Sequence, residues 1–194
     1  MNFLAHIYLS GDNELVQIGN LMADGIRGKR YDEFPPDVRT GILLHREIDT
    51  FTDAHPIFRE STKRLHSQYH HYAGVIVDVF YDHFLAHNWA LYSTQPLEDF
   101  VARFYDNLER HYDLLTDRTR DMMPPMIRHN WLLSYRDVDG IARIMTQMDH
   151  RTGNVSGMRD CVGELLEYYE EFGAEFRVFF EELRTFCRQK LPLL

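Results

Sequence analysis

The stretch over roughly residues 72–92 most constrains what this chain can become. Val75, Ile76, Val77, Val79, Phe80, Phe84, Leu85, Ala86, Trp89 and Ala90 surround a helical axis on nearly every side. A helix of that kind belongs in the centre of a domain, with other elements wrapped around it. Yet it carries Asp78 and Asp82, four residues apart on one face, and His83 directly after. Two carboxylates close together in a core repel one another, and burial opposes their ionisation. A divalent cation would remove the conflict; so would arginine, which is plentiful in this sequence.

The rest of the chain supplies the wrapping. Helical spacing dominates and clean period-two alternation is rare, so the expected fold is all-α. A short apolar segment opens the chain. Helices are predicted over about 14–28, from Pro36 to about Asp53, from Pro56 to about Gln68, over 72–92 and from Pro96 to about Leu115. Pro124-Pro125 is expected to separate a short helix from one over 137–149, and a loop at Arg151–Asn154 to precede one long final helix ending near Lys190. Along that last helix Leu165, Tyr169, Phe172, Phe176, Phe179, Leu183 and Phe186 form an apolar stripe. Its glutamates, Glu164, Glu167, Glu170, Glu171, Glu175, Glu181 and Glu182, are expected on the solvated face. With 194 residues, 44% of them hydrophobic, the chain can bury one good core, and a single domain over 1–194 is expected.

Charge and targeting signals narrow the function. The formal net charge of -9 disfavours nucleic-acid binding through bulk charge. Cys161 and Cys187 show no ligand or disulfide spacing and read as small apolar residues in a reducing compartment. The opening residues lack a basic n-region, and no apolar run is long enough to span a bilayer. A soluble cytoplasmic protein with no membrane partner is the expectation.

Two further polar pairs sit at helical spacing. On the helix from Pro36, Val38 and Ile42 form a stripe that turns into His45 and Asp49, with Arg46 and Asp53 nearby. A buried stripe ending in imidazole and carboxylate needs partners, either a metal ion or a hydrogen-bond network. On the first long helix Asn20 and Asp24 are again four apart, with Arg27 on the same side. Three helices thus offer Asn20/Asp24, His45/Asp49 and Asp78/Asp82, plus His83. Mixed imidazole and carboxylate donors on facing helices suit Mn²⁺ or Mg²⁺. His66, His70 and His71 lie in a polar stretch and read as surface residues.

These residues fall in an ordered set of motifs. Met-Asn-Phe-Leu-Ala-His6, Gly19-Asn20-Leu-Met-Ala-Asp24, Phe34-Pro35-Pro36-Asp37-Val38, Gly41-Ile-Leu-Leu-His45-Arg46-Glu-Ile-Asp49, Thr52-Asp53, Asp78-Val-Phe-Tyr-Asp82-His83-Phe84-Leu85 and Tyr135-Arg136-Asp137 follow one another across nearly the whole chain. Together they resemble the bacterial acyl carrier protein phosphodiesterases. The resemblance implies a compact multi-helix domain similar to a divergent branch of the HD-domain phosphohydrolases, although this chain has Asp82-His83 and no adjacent His-Asp pair. It implies removal of 4′-phosphopantetheine from holo-acyl carrier protein, a divalent cation with Mn²⁺ preferred and Mg²⁺ possible, and a role in lipid metabolism. Carried onto this chain, it gives Asp24, His45, Asp78 and Asp82 as expected metal ligands and Asp49 and His83 as expected catalytic groups. Asn20, Arg27 and Arg46 are the expected substrate contacts, with an i,i+3 pair to Asp49 as the other reading of Arg46. Acidic carrier proteins call for a local basic patch, for which Arg27, Lys29 and Arg30, or Arg59, Lys63 and Arg64, are candidates. Two other functions fit the same residues: a helical phosphohydrolase acting on a nucleotide, and a non-catalytic binding protein whose acids are satisfied by arginine.

Overall fold

In the structure, a computed structural model describing residues 1–194, the chain is helical throughout and contains no strand. Helices α1 (Phe3–Leu9), α2 (Glu14–Met22), α3 (Pro36–Ala54), α4 (Pro56–Tyr69) and α5 (Ala73–His87) form the first half. Helices α6 (Leu97–Arg110), α7 (Asp117–Arg128), α8 (Trp131–Ser134), α9 (Val138–Arg151), α10 (Val162–Glu167) and α11 (Tyr169–Lys190) form the second. No helix is long and apolar enough to cross a membrane.

As its all-round apolar sequence requires, α5 is central. Ile76, Val77 and every residue from Val79 to Ala86 are buried. Against it pack α1, α4, α9 and α11. The expected stripe of α11 supplies Phe172, Phe176, Phe179 and Leu183, all fully buried and joined by Phe180. Phe176 stacks against Phe84 and Phe180 and meets Tyr81 edge-on, so the core is an aromatic cluster between α5 and α11.

Helices α2 and α3 make the most extensive helix pair in the molecule. Their closeness depends on two glycines. A methyl group on Gly19 would lie 2.0 Å from the Val38 carbonyl oxygen, and one on Gly41 would lie 2.1 Å from that of Val16. The backbones therefore touch directly, which no other residue type permits.

Several predicted boundaries move. The helix expected over about 14–28 ends at Met22, so Asp24 lies in the following turn and Arg27 in the loop beyond it. Pro124 and Pro125 lie inside α7 and do not end it. Their fixed φ is compatible with a helix, and burial of Met123 and Met126 on the same helix offsets the two missing N–H donors. The single final helix is broken into α10 and α11 at Tyr168, and the loop before it extends to Gly157. Asp149 holds that loop: it accepts from the Ser156 hydroxyl at 2.7 Å and pairs with Arg159. The glutamates are also not uniformly solvated. Glu175 takes a two-pronged pair from Arg64, at 2.7 and 2.9 Å, and Glu164 accepts from the Tyr69 hydroxyl at 2.9 Å.

Gly41→Ala should cost about 3 kcal/mol by overpacking two backbones that cannot separate. At this chain length that is a fall in Tm of roughly 6–12 °C. Differential scanning calorimetry checks it, with the unobstructed Gly74→Ala as control.

Candidate functional site

The tight α2–α3 contact sets Asn20 beside His45, and α1 lays His6 on both. The Asn20 amide is fully buried and its orientation is fixed, because its nitrogen donates to the His6 carbonyl at 3.0 Å and to the Ser10 hydroxyl at 2.9 Å. Its oxygen must then accept, and it faces His6 Nδ1 at 2.8 Å and His45 Nδ1 at 3.0 Å. One amide therefore holds both imidazoles with the proton on Nδ1, and the rings stack with centroids 4.2 Å apart. Both Nε2 atoms are left pointing the same way.

They point at carboxylates. His45 Nε2 lies 3.1 Å from Asp49 Oδ2 and 3.1 Å from Asp24 Oδ1, while His6 Nε2 lies 3.3 Å from Asp49 Oδ1. Donor atoms of His6, His45 and Asp49 all lie within 4.8 Å of one another. Burial disfavours the His45 imidazolium, but hydrogen bonds to Asp24 and Asp49 outweigh it and push its pKa up to about 9. Burial dominates at His6 and lowers it to about 4. Burial also opposes ionisation of Asp49, yet the hydrogen bond from His45, with a further contribution from the adjoining His6 ring, holds its carboxyl well below the usual carboxylate range. The hydrogen bond from His45 likewise lowers Asp24.

A neutral His6 with its proton on Nδ1 turns a bare lone pair toward Asp49. Two acceptors then face each other across 3.3 Å, which is unfavourable unless a proton or a metal cation lies between them. Two imidazole nitrogens and a carboxylate, with the rings oriented by a buried amide behind them, are a donor set that fits a divalent cation.

The cluster opens into a cavity of about 470 Å³. Asp24, Asp49, Thr52, Asp53 and Asp78 line one side of it; Arg118, Trp131, Gln147, Met148 and Arg151 contribute from α7, α8 and α9. The Thr52 hydroxyl is buried with no protein partner.

The expected residues fall into two groups. Asn20, Asp24, His45 and Asp49 are brought together. Asp78, Asp82, His83 and Arg46 are engaged elsewhere. Asp82 is fully buried, and its carboxylate accepts from the backbone N–H groups of Asn2 at 3.1 Å, Leu4 at 2.8 Å and Ala5 at 3.4 Å. It thus caps the start of α1, where the helix dipole favours a negative charge. Burial still pushes it up to about 7, against the amino group and those donors. Asp78 lines the cavity but pairs with the Met1 amino group. Neither acid meets an arginine. His83 faces Tyr135 and Tyr169: Nδ1 lies 2.8 Å from the Tyr135 carbonyl and Nε2 2.9 Å from the Tyr169 hydroxyl. Arg46 donates to the Ile26 carbonyl at 2.8 Å and lies over the Tyr31 ring, pinning the loop between α2 and α3. Arg27 lines an adjoining cavity with Arg30 and Arg118. Of the second basic trio, Arg64 is consumed by Glu175, whereas Arg59 and Lys63 line a groove with His66, His70 and His71.

His6 was not among the expected ligands. Helix α1 has only seven residues, too few for a periodic pattern to mark one face. The one available signal was the opening motif in which His6 stands.

Fold and cluster together define the class: an all-α protein in which imidazole and carboxylate groups from separate helices converge on one cavity. Comparison with known proteins gives the family. The model of the family described as acyl carrier protein phosphodiesterase matches residues 1–183. A protein of that name from Photorhabdus laumondii is 32% identical over 181 residues, 93% of this chain and 91% of the relative. One from Escherichia coli is 32% identical over 191 residues, 98% of this chain and 99% of the relative. No solved structure matches the chain significantly. The chain belongs to the acyl carrier protein phosphodiesterase family.

The cluster's protonation has a signature in metal-free protein. By histidine NMR titration, His45 should titrate near 9 and His6 near 4, against an ordinary 6.5. The raised His45 value means its stabilisation is complete below 6.5 and lost as pH rises through about 9. The lowered His6 value acts oppositely: its contribution is complete above 6.5 and lost as pH falls toward about 4. Tm of the metal-free protein should therefore decline on both sides of neutrality, and His45→Gln should flatten the alkaline side. Two histidines titrating normally would refute the network.

Proposed function

We propose that this protein hydrolyses the phosphodiester joining 4′-phosphopantetheine to a serine of holo-acyl carrier protein, with a divalent cation, Mn²⁺ or Mg²⁺, held by His6, His45 and Asp49. The observation that carries the metal assignment is the convergence of donor atoms of His6, His45 and Asp49 within 4.8 Å of one another, with both rings held by a shared Asn20. Family membership and the names of the relatives support the carrier-protein substrate. When bound, the cation would supply a water of lowered pKa and neutralise charge developing on the phosphate.

The chain's own residues do the rest. Asn20 fixes both imidazoles so that each presents Nε2 to the cavity. Binding of a cation requires His45 to surrender the proton it shares with Asp24 and Asp49. Asp24 is left beside the site with a carboxylate able to accept a proton from water. The departing serine oxygen needs a proton in turn, and Asp53, which also lines the cavity, would relay one. His83 has both ring nitrogens occupied on the Tyr135–Tyr169 side, so its role is to hold α5 in place.

Intact-mass analysis of holo-acyl carrier protein incubated with this protein and Mn²⁺ tests the reaction. The expected result is conversion to the apo mass, blocked by a chelator. An unchanged mass alongside hydrolysis of small nucleotides would replace this substrate with a nucleotide.

Variants separate ligands from supports. His6→Ala, His45→Ala and Asp49→Ala should each reduce Mn²⁺ affinity by at least about tenfold, through loss of one coordinating group. Affinity in the native protein should climb with pH up to about 9, as His45 deprotonates. Asp82→Ala should act first on stability, lowering it by about 3 kcal/mol, because three backbone donors are left buried without a partner. Isothermal titration with Mn²⁺ and thermal melts distinguish the two effects.

A further inference from the structure

The cavity wall has two electrical halves. Along α3 and α5 it is acidic, through Asp49, Asp53 and Asp78, with Asp24 joining them from the turn that follows α2. On the α7 and α9 side it carries two guanidinium groups, Arg118 and Arg151. An anionic diester entering such a cavity meets repulsion from one wall and needs attraction from the other.

Arg118 is placed for this in three ways. It lies at the junction of the main cavity and the two that adjoin it, lining all three. Its Cδ lies 3.7 Å from where a Cβ on Gly25 would be, so its stem runs along the residue that follows Asp24. Asp24 in turn bonds His45, so the Arg118 stem lies one residue away from a carboxylate of the His/Asp cluster. Finally, no carboxylate occupies it. Arg120 takes the neighbouring Asp117, and Arg118 itself enters no ion pair or hydrogen bond. Arg151, at the end of α9, is similarly free. Arg159 takes the nearby Asp149, and the Arg151 guanidinium rests over the Trp131 ring, 5.4 Å from its centroid. That stacking holds the group in place while leaving its N–H edge open.

We propose that Arg118 and Arg151 form the anion subsite of this cavity, gripping the non-bridging oxygens of the substrate phosphate opposite the His6–His45–Asp49 cluster. Guanidinium suits the task because its planar fork meets two phosphate oxygens at once. The assignment replaces Arg46, whose guanidinium is spent on the Ile26 carbonyl and the Tyr31 ring. It rests on the phosphodiesterase reading for the identity of the anion, but the subsite itself can be probed without turnover.

The test is titration of metal-free protein with inorganic phosphate, followed by kinetics on holo-acyl carrier protein with Mn²⁺. Arg118→Ala should weaken phosphate binding by about tenfold, the value of one charged hydrogen-bonded pair. Arg151→Ala should do likewise, and the double variant should show no saturable binding. Arg118→Ala should lower kcat/KM by about 100-fold, as loss of a donor to transition-state charge does. Arg118→Lys should recover only part, since an ammonium offers no fork. Mn²⁺ affinity and Tm should stay close to those of the native protein, which separates a lost subsite from a lost fold. Native phosphate affinity in Arg118→Ala and Arg151→Ala would overturn the proposal. Arginine-dependent phosphate binding without conversion of the carrier protein would instead leave the subsite standing and remove the substrate assignment.

Discussion

Everything at the site descends from the place where α2 and α3 touch backbone to backbone. Gly19 and Gly41 leave no side chain between the helices, and Asn20, next to Gly19, is thereby driven against the face that carries His45. A wider interhelical gap would leave the amide in contact with only one imidazole. With both rings tied to a single oxygen, their tautomers are set together, and so is the direction in which their free nitrogens point. The cluster is thus a product of helix packing, and its chemistry is inherited from a steric fact about two glycines.

Electrostatics then divides the buried acids between two tasks. Asp49 and Asp24 face imidazoles and gain a proton-dependent partner. Asp78 and Asp82, one turn apart on α5, face the beginning of the chain instead: the Met1 amino group for one and the first turn of α1 for the other. The repulsion expected between them is relieved by an amine and by peptide dipoles. That arrangement holds α1 on the central helix, and α1 holds His6.

What the sequence disclosed follows from how far apart the interacting groups lie. His45 and Asp49 share one helix, and their spacing of four residues puts them on one face, so local periodicity finds them. The all-round apolar character of α5 likewise announced its central place. The partners of Asp78 and Asp82 lie about eighty residues away in sequence, where no periodic pattern reaches. A backbone N–H as partner leaves no mark on side-chain identity at all. His6 was hidden because one and a half turns cannot display a stripe, and Arg118 because nothing local ties it to Asp24. Pro124-Pro125 misled in the opposite direction: a strong local breaker was overruled by burial of the methionines around it.

The brevity of α1 carries a further consequence. Seven residues are far too few to hold a helix in water by themselves. This segment is therefore helical only while it is docked on Asp82 and packed against α5. One of the two imidazoles of the cluster rides on an element with little structure of its own. Local opening of that segment would dismantle the donor set while the aromatic core stayed closed. On the proposed metal assignment, ion capture and docking of α1 are a single linked equilibrium, and residence of the ion would measure how firmly the first turn of the chain is seated.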